Sequence, residues 1–217
     1  MLRSKVITIA QQKGGAGKTT LAAHIAIALN QKQNRVSMVD IDPQSSLKHW
    51  FNIRAQRFGD DYTGIHFTAT AGWKINTEIL NLRNKFDYII IDSPPHTETD
   101  AKAAIRAADL LIIPIQPSPT DFWATKATID LAKKEKIPYM VVLNRVTPNS
   151  KLAEGIRKQL DNVSTNFLSN RVAFASCMLE GKCVTETQPK GPAAAEIKAL
   201  VNEVLKRFPK EEEKEAA

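Results

Sequence analysis

Lys13-Gly14-Gly15-Ala16-Gly17-Lys18-Thr19-Thr20 is the stretch that decides the fold. It follows an apolar run, residues 6–10, that reads as a buried strand. It precedes residues 20–31, where Leu21, Ile25 and Leu29 recur at helical spacing. A phosphate-binding loop needs backbone N–H groups turned toward an anion, and Gly14, Gly15 and Gly17 around Ala16 permit that geometry. It also needs a lysine for the terminal phosphates, here Lys18, and a hydroxyl for Mg²⁺, here Thr19 or Thr20. The helix N-terminus behind the loop adds a dipole that favours negative charge. The segment is a near miss to GxxxxGK[ST], with Lys13 standing ahead of the first glycine; this is the deviant form of the motif.

Outward from the loop, apolar runs alternate with helical patterns. Strands are predicted at residues 35–40, 65–68, 86–92, 110–115, 139–144 and, last, 172–175. Helices are predicted around Ile75, Ile79 and Leu82, at 101–107, 119–136 and 150–160, and over the stripe Ile197, Leu200, Val201, Val204, Leu205 and Phe208, which Pro209 ends. Residues 50–64 read mostly as loop. The 86–92 run (Phe86-Asp87-Tyr88-Ile89-Ile90-Ile91-Asp92) does not alternate, as expected of a strand covered on both faces. The pattern predicts an α/β domain over residues 1–210, a mainly parallel central sheet with helices on both faces. The acidic residues 211–217 are expected to be a disordered tail.

Two strand ends carry further chemistry. In Asp40-Ile41-Asp42-Pro43-Gln44, one carboxylate can hold Mg²⁺ through water and the other can orient an attacking water. Asp92, ending an apolar strand before Ser93-Pro94-Pro95, has the form of a carboxylate that binds a water on Mg²⁺.

Composition bounds the rest. The 217 residues suit one domain. Cys177 and Cys183 have neither redox nor zinc spacing and read as free thiols of a reducing compartment. A strand-like run almost at the first residue leaves no room for a signal peptide, so a cytoplasmic location is expected. Residues 122–210 hold 15 Lys and Arg against 8 Asp and Glu, an excess equal to the whole chain's +7. Such a basic half is an electrostatic footprint for nucleic acid or an ordinary solvated surface.

The loop, Asp40-Ile41-Asp42-Pro43-Gln44, Asp92-Ser93-Pro94-Pro95 and Pro114-Ile115-Gln116-Pro117-Ser118-Pro119-Thr120-Asp121-Phe122 together resemble the ParA/MinD branch of P-loop ATPases, across residues 5–208. The chain is most similar to small ParA and ParF-like proteins without an N-terminal helix-turn-helix domain. Gln11 departs from the asparagine that the family often has, a change expected to be tolerated. The resemblance implies ATP and Mg²⁺ as ligands and roles for each residue. Lys13 crosses an ATP-sandwich homodimer to the partner's phosphates, Lys18 serves its own loop, Thr19 binds Mg²⁺ and Thr20 contacts phosphate. Asp42 positions the hydrolytic water, Asp40 and Asp92 lie on the metal side, and Asn144 contacts adenine. It also implies non-specific DNA binding on the nucleoid and activation by a ParB-like or other cargo-bound protein. Lys151, Arg157, Lys158, Arg171, Lys182, Lys198, Lys206 and Arg207 are the DNA candidates, with Arg171 and Lys198 equally able to cap or pair within the fold.

The competing expectation is a MinD-like, membrane-associated positioning ATPase; against it, the tail after Pro209 is acidic and anionic lipid would repel it. An iron–sulfur carrier would need a bridging cysteine after the Asp92 strand, and a tyrosine kinase of this branch would need tyrosines beyond Tyr139. A nucleotide-binding adaptor without turnover fits poorly with intact Asp42 and Asp92.

Overall fold

The computed structural model describes residues 4–95 and 98–208. Pro209 and the acidic residues 211–217 lie outside them. Six strands form one sheet: β1 Lys5–Ile9, β2 Val36–Asp40, β3 His66–Ala69, β4 Tyr88–Asp92, β5 Leu110–Ile115 and β6 Tyr139–Leu143. Their spatial order is β3-β2-β4-β1-β5-β6, and every pairing is parallel. The helices are α1 Lys18–Asn30, α2 Ser46–Phe58, α3 Ile75–Leu82, α4 Glu98–Arg106, α5 Pro119–Lys134, α6 Lys151–Gln159, the short α7 Ala173–Ser176 and α8 Val184–Thr187, and α9 Pro192–Lys206.

Both sheet faces are covered, which is why the strands are apolar throughout. Ile7, Ile9, Met38, Ile90 and Ile112 pack under α1 and α9. On the other face Leu111, Ile113 and Val141 pack under α5 and α6, while Val6, Val39, Ile89 and Ile91 meet α3 and α4. From β1 the chain first winds outward to β2 and β3, then returns through β4 and continues to β5 and β6. That reversal places the carboxyl end of β1 at the crevice where open α/β sheets bind ligands.

Two predicted elements differ. Residues 50–64 are not mostly loop: helix α2 runs to Phe58 and a 3-10 turn follows at Asp60–Tyr62. Its buried face is only Leu47, Trp50 and Arg54, so an arginine fills a core position and hides the apolar stripe. Arg54 is satisfied there, bonding Thr63 O (2.7 Å), Gly181 O (2.9 Å) and, through both terminal nitrogens, the Glu186 carboxylate (3.0 and 2.8 Å). The last predicted strand, 172–175, is the helical turn of α7 instead. Sheet-like pairing occurs just before it, in bridges Val141–Val163 and Val146–Ser169. Val172 is β-branched, but its segment has passed the sheet edge and no strand is left to pair with.

That extended segment is pegged by α9. Glu203 accepts from Ser164 Oγ (2.7 Å), Thr165 N and Oγ1 (3.1 and 2.9 Å) and Asn166 Nδ2 (2.7 Å). Glu196, two turns earlier on the same helix face, accepts from Ser169 N and Oγ and from Arg171. Burial would raise the Glu203 pKa, but the bonds from Ser164, Thr165 and Asn166 outweigh it and hold it at about 2. Because the folded value lies below the ordinary 4.5, Glu203 stabilises the fold fully above pH 4.5 and loses that contribution as pH falls through about 2. Glu203→Gln is therefore expected to cost about 1–3 kcal/mol at pH 7, with the difference from wild type shrinking toward acid. Urea unfolding of both proteins at pH 7 and below pH 4 checks this.

Candidate nucleotide site

The glycine loop joins β1 to α1. Gly15 (φ 79°) and Gly17 (φ 92°) occupy the left-handed region, which L side chains rarely adopt. A Cβ on Gly17 would overlap Asn144 Nδ2, so this position needs glycine for space as well. The loop carbonyls are held from neighbouring strand ends: Gln116 Nε2 donates to Gly15 O (2.7 Å) and Asn144 Nδ2 to Ala16 O (2.9 Å). Helix α1 has no acidic residue in its first turn, so its positive end is left for an anion.

Lys18 is buried, its Nζ 3.5 Å from Lys13 O. Burial lowers its pKa, while Asp92 and Asp42 pull it back up. Strands β2, β4 and β1 end in register, pairing Asp40 with Asp92 and Ile9 with Asp92. The loop and both carboxylates therefore meet at one level. Thr19 Oγ1 donates to Asp92 Oδ2 (2.6 Å), and Asp92 Oδ1 is buried with no partner among the described residues. Burial raises the Asp92 pKa to about 7; the Thr19 bond opposes this, Asp40 adds to it and Lys18 opposes it. A hydroxyl and an incompletely satisfied carboxylate in contact are the oxygen donors that a hard divalent cation takes. These residues fit Mg²⁺, with Thr19 and Asp92 in position to hold it.

Asp40 and Asp42 have separate environments. Both oxygens of Asp40 bind backbone, accepting from Asp42 N (3.0 Å) and from Lys48 N in the first turn of α2 (3.0 Å). Asp40 thus ties down the turn that carries Asp42. Asp42 accepts from Gln44 N (2.9 Å) and faces an open recess of about 420 Å³ shared with Asp40, Thr70, Gly72 and Asp100.

Within the single chain, Lys13 reaches across to the first turn of α5. Its Nζ forms an ion pair with Asp121 and lies 2.9 Å from Thr120 Oγ1. Asp121 belongs to the cap of that helix: Ser118 Oγ accepts from Asp121 N (3.1 Å) and donates to its carboxylate, with Pro119 in the first turn. Sequence reasoning misses Thr120, Asp121 and Gln116 as site residues. A signal is present in Ser118-Pro119-Thr120-Asp121, a serine followed three residues later by an acid, which is a helix-start pattern. Thr20 and Asn144 border a cavity of about 330 Å³ that runs between α1 and residues 168–175, over buried His24 and Phe174. His24 is held neutral by burial, its pKa lowered to about 4.

The basic candidates divide by environment. Arg171 donates through both Nε and Nη2 to Glu196 Oε1, and Lys198 Nζ donates to Pro189 O (2.7 Å). Lys182 pairs with Glu180 (3.3 Å) and Arg207 with Glu203 (3.8 Å). Arg157 is half-buried, whereas Lys151, Lys158 and Lys206 are exposed. No helix among the described residues is long and apolar enough to cross a membrane.

Comparison with known proteins agrees with this geometry. The family described as the CobQ/CobB/MinD/ParA nucleotide binding domain matches residues 7–184. The maintenance of carboxysome distribution protein A of Halothiobacillus neapolitanus is 29% identical over 92% of this chain and 95% of its own length. The chromosome-partitioning ATPase Soj of Thermus thermophilus is 25% identical over 95% of this chain and 98% of its own. The septum site-determining protein MinD of Pyrococcus horikoshii, solved with Mg-ADP, superposes with a TM-score of 0.80 at 21% identity, covering 93% of this chain and 96% of that one.

Gly17→Ala is expected to displace Asn144 and weaken binding of a fluorescent adenine nucleotide by about tenfold or more, since strain and overlap coincide there. Gly155→Ala is the control: it lies in α6 with an ordinary backbone, and a Cβ there would meet nothing within 4 Å. It is expected to leave binding alone and to stabilise the fold by about 0.5–1 kcal/mol. Nucleotide titration and thermal melting of both variants check the pair.

Proposed function

The chain belongs to the CobQ/CobB/MinD/ParA family of nucleotide-binding domains, and from that premise we propose that it is a ParA-type ATPase that positions cargo. The observation that carries this is the Thr19–Asp92 contact, with a carboxylate oxygen unpaired among the described residues, directly beneath a glycine loop at a helix start. ATP binds with its phosphates on residues 13–20 and its base toward Asn144 and the adjoining cavity. Lys18 neutralises phosphate charge. Thr19 and Asp92 would hold Mg²⁺, with Asp40 supporting that side, and the cation would supply charge neutralisation for the phosphates. Asp42, in its open recess, orients the water that attacks the terminal phosphate to give ADP and phosphate.

ATP brings two copies face to face. Lys13 is half-exposed on the same rim as the loop, so it can exchange Asp121 for the phosphates of a second copy. The dimer doubles a basic surface, on which Lys151, Lys158 and Lys206 stand out, and holds DNA through its phosphates. A ParB-like or other cargo-bound protein stimulates hydrolysis and release. The site of action is the cytoplasm, on the nucleoid, and the cargo is a plasmid, a chromosome or a protein assembly. The relative from Halothiobacillus, named for carboxysome distribution, supports including the last of these.

Asp42→Ala is expected to bind ATP with near wild-type affinity and to lose turnover, measured as phosphate release. In that background, light scattering should report ATP-dependent dimers that Lys13→Ala abolishes. Wild-type hydrolysis by Asp42→Ala would sink the assignment of the water-orienting residue.

Random-sequence duplex DNA should shift with ATP and not with ADP. The slope of log affinity against log salt should be about −0.9 for each neutralised phosphate. Replacing Lys151, Lys158 and Lys206 together with alanine should flatten that slope, whereas Arg171→Ala should chiefly lower stability. A mobility-shift series over salt checks both, and strong binding with ADP would return the basic half to solvated surface.

A further inference from the structure

Gln11 is held by a specific set of polar contacts. Its side chain is buried at the end of β1, two residues before Lys13. Its Nε2 donates to Thr125 Oγ1 (2.8 Å) and to Pro114 O (3.3 Å). Its Oε1 accepts from Gln12 N (2.9 Å) and from Thr128 Oγ1 (3.3 Å). A primary amide has two donors and two acceptor lone pairs, and all four are used. Thr125 passes the connection on, because its hydroxyl donates to Asp121 O (2.8 Å).

Residues 121, 125 and 128 lie on one face of α5, spaced four and three apart, so they turn toward the same stretch of loop. Two side chains of that stretch bridge to this face. Lys13 does so at Thr120 and Asp121, and is more than a third exposed. Gln11 does so at Thr125 and Thr128, and is sealed from solvent. A cavity of about 400 Å³ borders Gln11, Gln12 and Thr128, between α4 and α5, and leaves room for the chain to shift.

We propose that Gln11 is the positioning residue that fixes the backbone of Lys13 against α5, so that the lysine can leave Asp121 for a second copy without the loop moving. This rests on the ATP-dependent dimer proposed above. Gln11 touches no reacting atom; it acts through the place where Lys13 is rooted. An asparagine is shorter by one methylene, about 1.5 Å, and cannot span from the end of β1 to both threonines.

The test uses the full chain in the Asp42→Ala background, with Gln11→Asn, Thr125→Val, the double variant and Thr125→Ser. Two quantities are read: affinity for fluorescent ADP, which the single chain binds through Lys18, and the midpoint of ATP-dependent association in light scattering, which depends on Lys13. Gln11→Asn and Thr125→Val should each weaken association by about tenfold, change ADP affinity less than about threefold, and combine with no further loss, as two ends of one bond do. Thr125→Ser keeps the hydroxyl and should associate like the parent. Should Gln11→Asn fail to fold, Thr125→Val against Thr125→Ser decides the matter. Unchanged association in Gln11→Asn and Thr125→Val overturns the proposal, and so does a parallel loss of ADP affinity, which would mark general support of the loop. If the parent does not associate with ATP, or Lys13→Ala associates as well as the parent, the dimer itself fails and this proposal with it. Intact Lys13 dependence beside indifferent Gln11 variants overturns only the positioning role.

Discussion

A carboxylate removed from water must be protonated or compensated, and Asp92 is such a group at the centre of the molecule. It is fully buried, its pKa is pushed up to about 7, and one oxygen is left without a partner among the described residues. Burial of this kind is costly unless something else in the site offsets it. The surrounding architecture meets at that point. Three parallel strands end in register beside Asp92, a glycine loop turns over it, and the positive end of α1 and the Lys18 ammonium lie next to it. A divalent cation with an anion would satisfy the carboxylate, the ammonium and the helix end together, so the site is built around charges it does not itself supply.

The parts around this centre are tied together by directional polar contacts. Asp40 grips the turn with Asp42 and the start of α2 through two backbone N–H groups. Gln116 and Asn144 hold the carbonyls of the loop, and Gln11 and Lys13 tie its entry to α5. Directional bonds of this sort set position more sharply than contact between methyl groups does, and they can be exchanged one at a time. Lys13 is more than a third exposed, and its acceptor Asp121 lies in a helix start that Ser118 also caps.

The far side of the cavity beside Thr20 and Asn144 is organised in the same way. Residues 164–171 form no strand of the sheet, and two glutamates of α9 bind them to the domain. Arg54 ties α2 to the 181–186 region across the same face, and Gly181 approaches the α2 backbone so closely that a Cβ would lie 2.5 Å from Arg54 N. These contacts join the turn bearing Asp42, through α2, to the segment that follows the cavity wall.

Periodicity and local chemistry are enough for the parallel sheet, the loop, the helix after it and the acidic strand ends. Each of these signals is short in sequence: unbroken β-branched and aliphatic runs, glycines beside a lysine and threonines, aspartates closing strands. Helix α2 escapes such a reading because its inward position is Arg54, a charge that is stable inside only when nearby Thr63 and the distant Gly181 and Glu186 are brought to it. Residues 172–175 mislead because β-branched propensity says nothing about whether a neighbouring strand is present. By itself the sequence determined the fold class and the positions of the glycine loop and of the aspartates that close the strands, since each follows from contacts within a few residues. Tertiary structure alone decided where Lys13 rests, that Asp92 is left half-satisfied, and which basic residues are already spent on Glu196, Glu203 and Pro189. For Arg171 and Lys13 the partners lie 25 and 108 residues away, and pairing across such distances is set by how the layers pack.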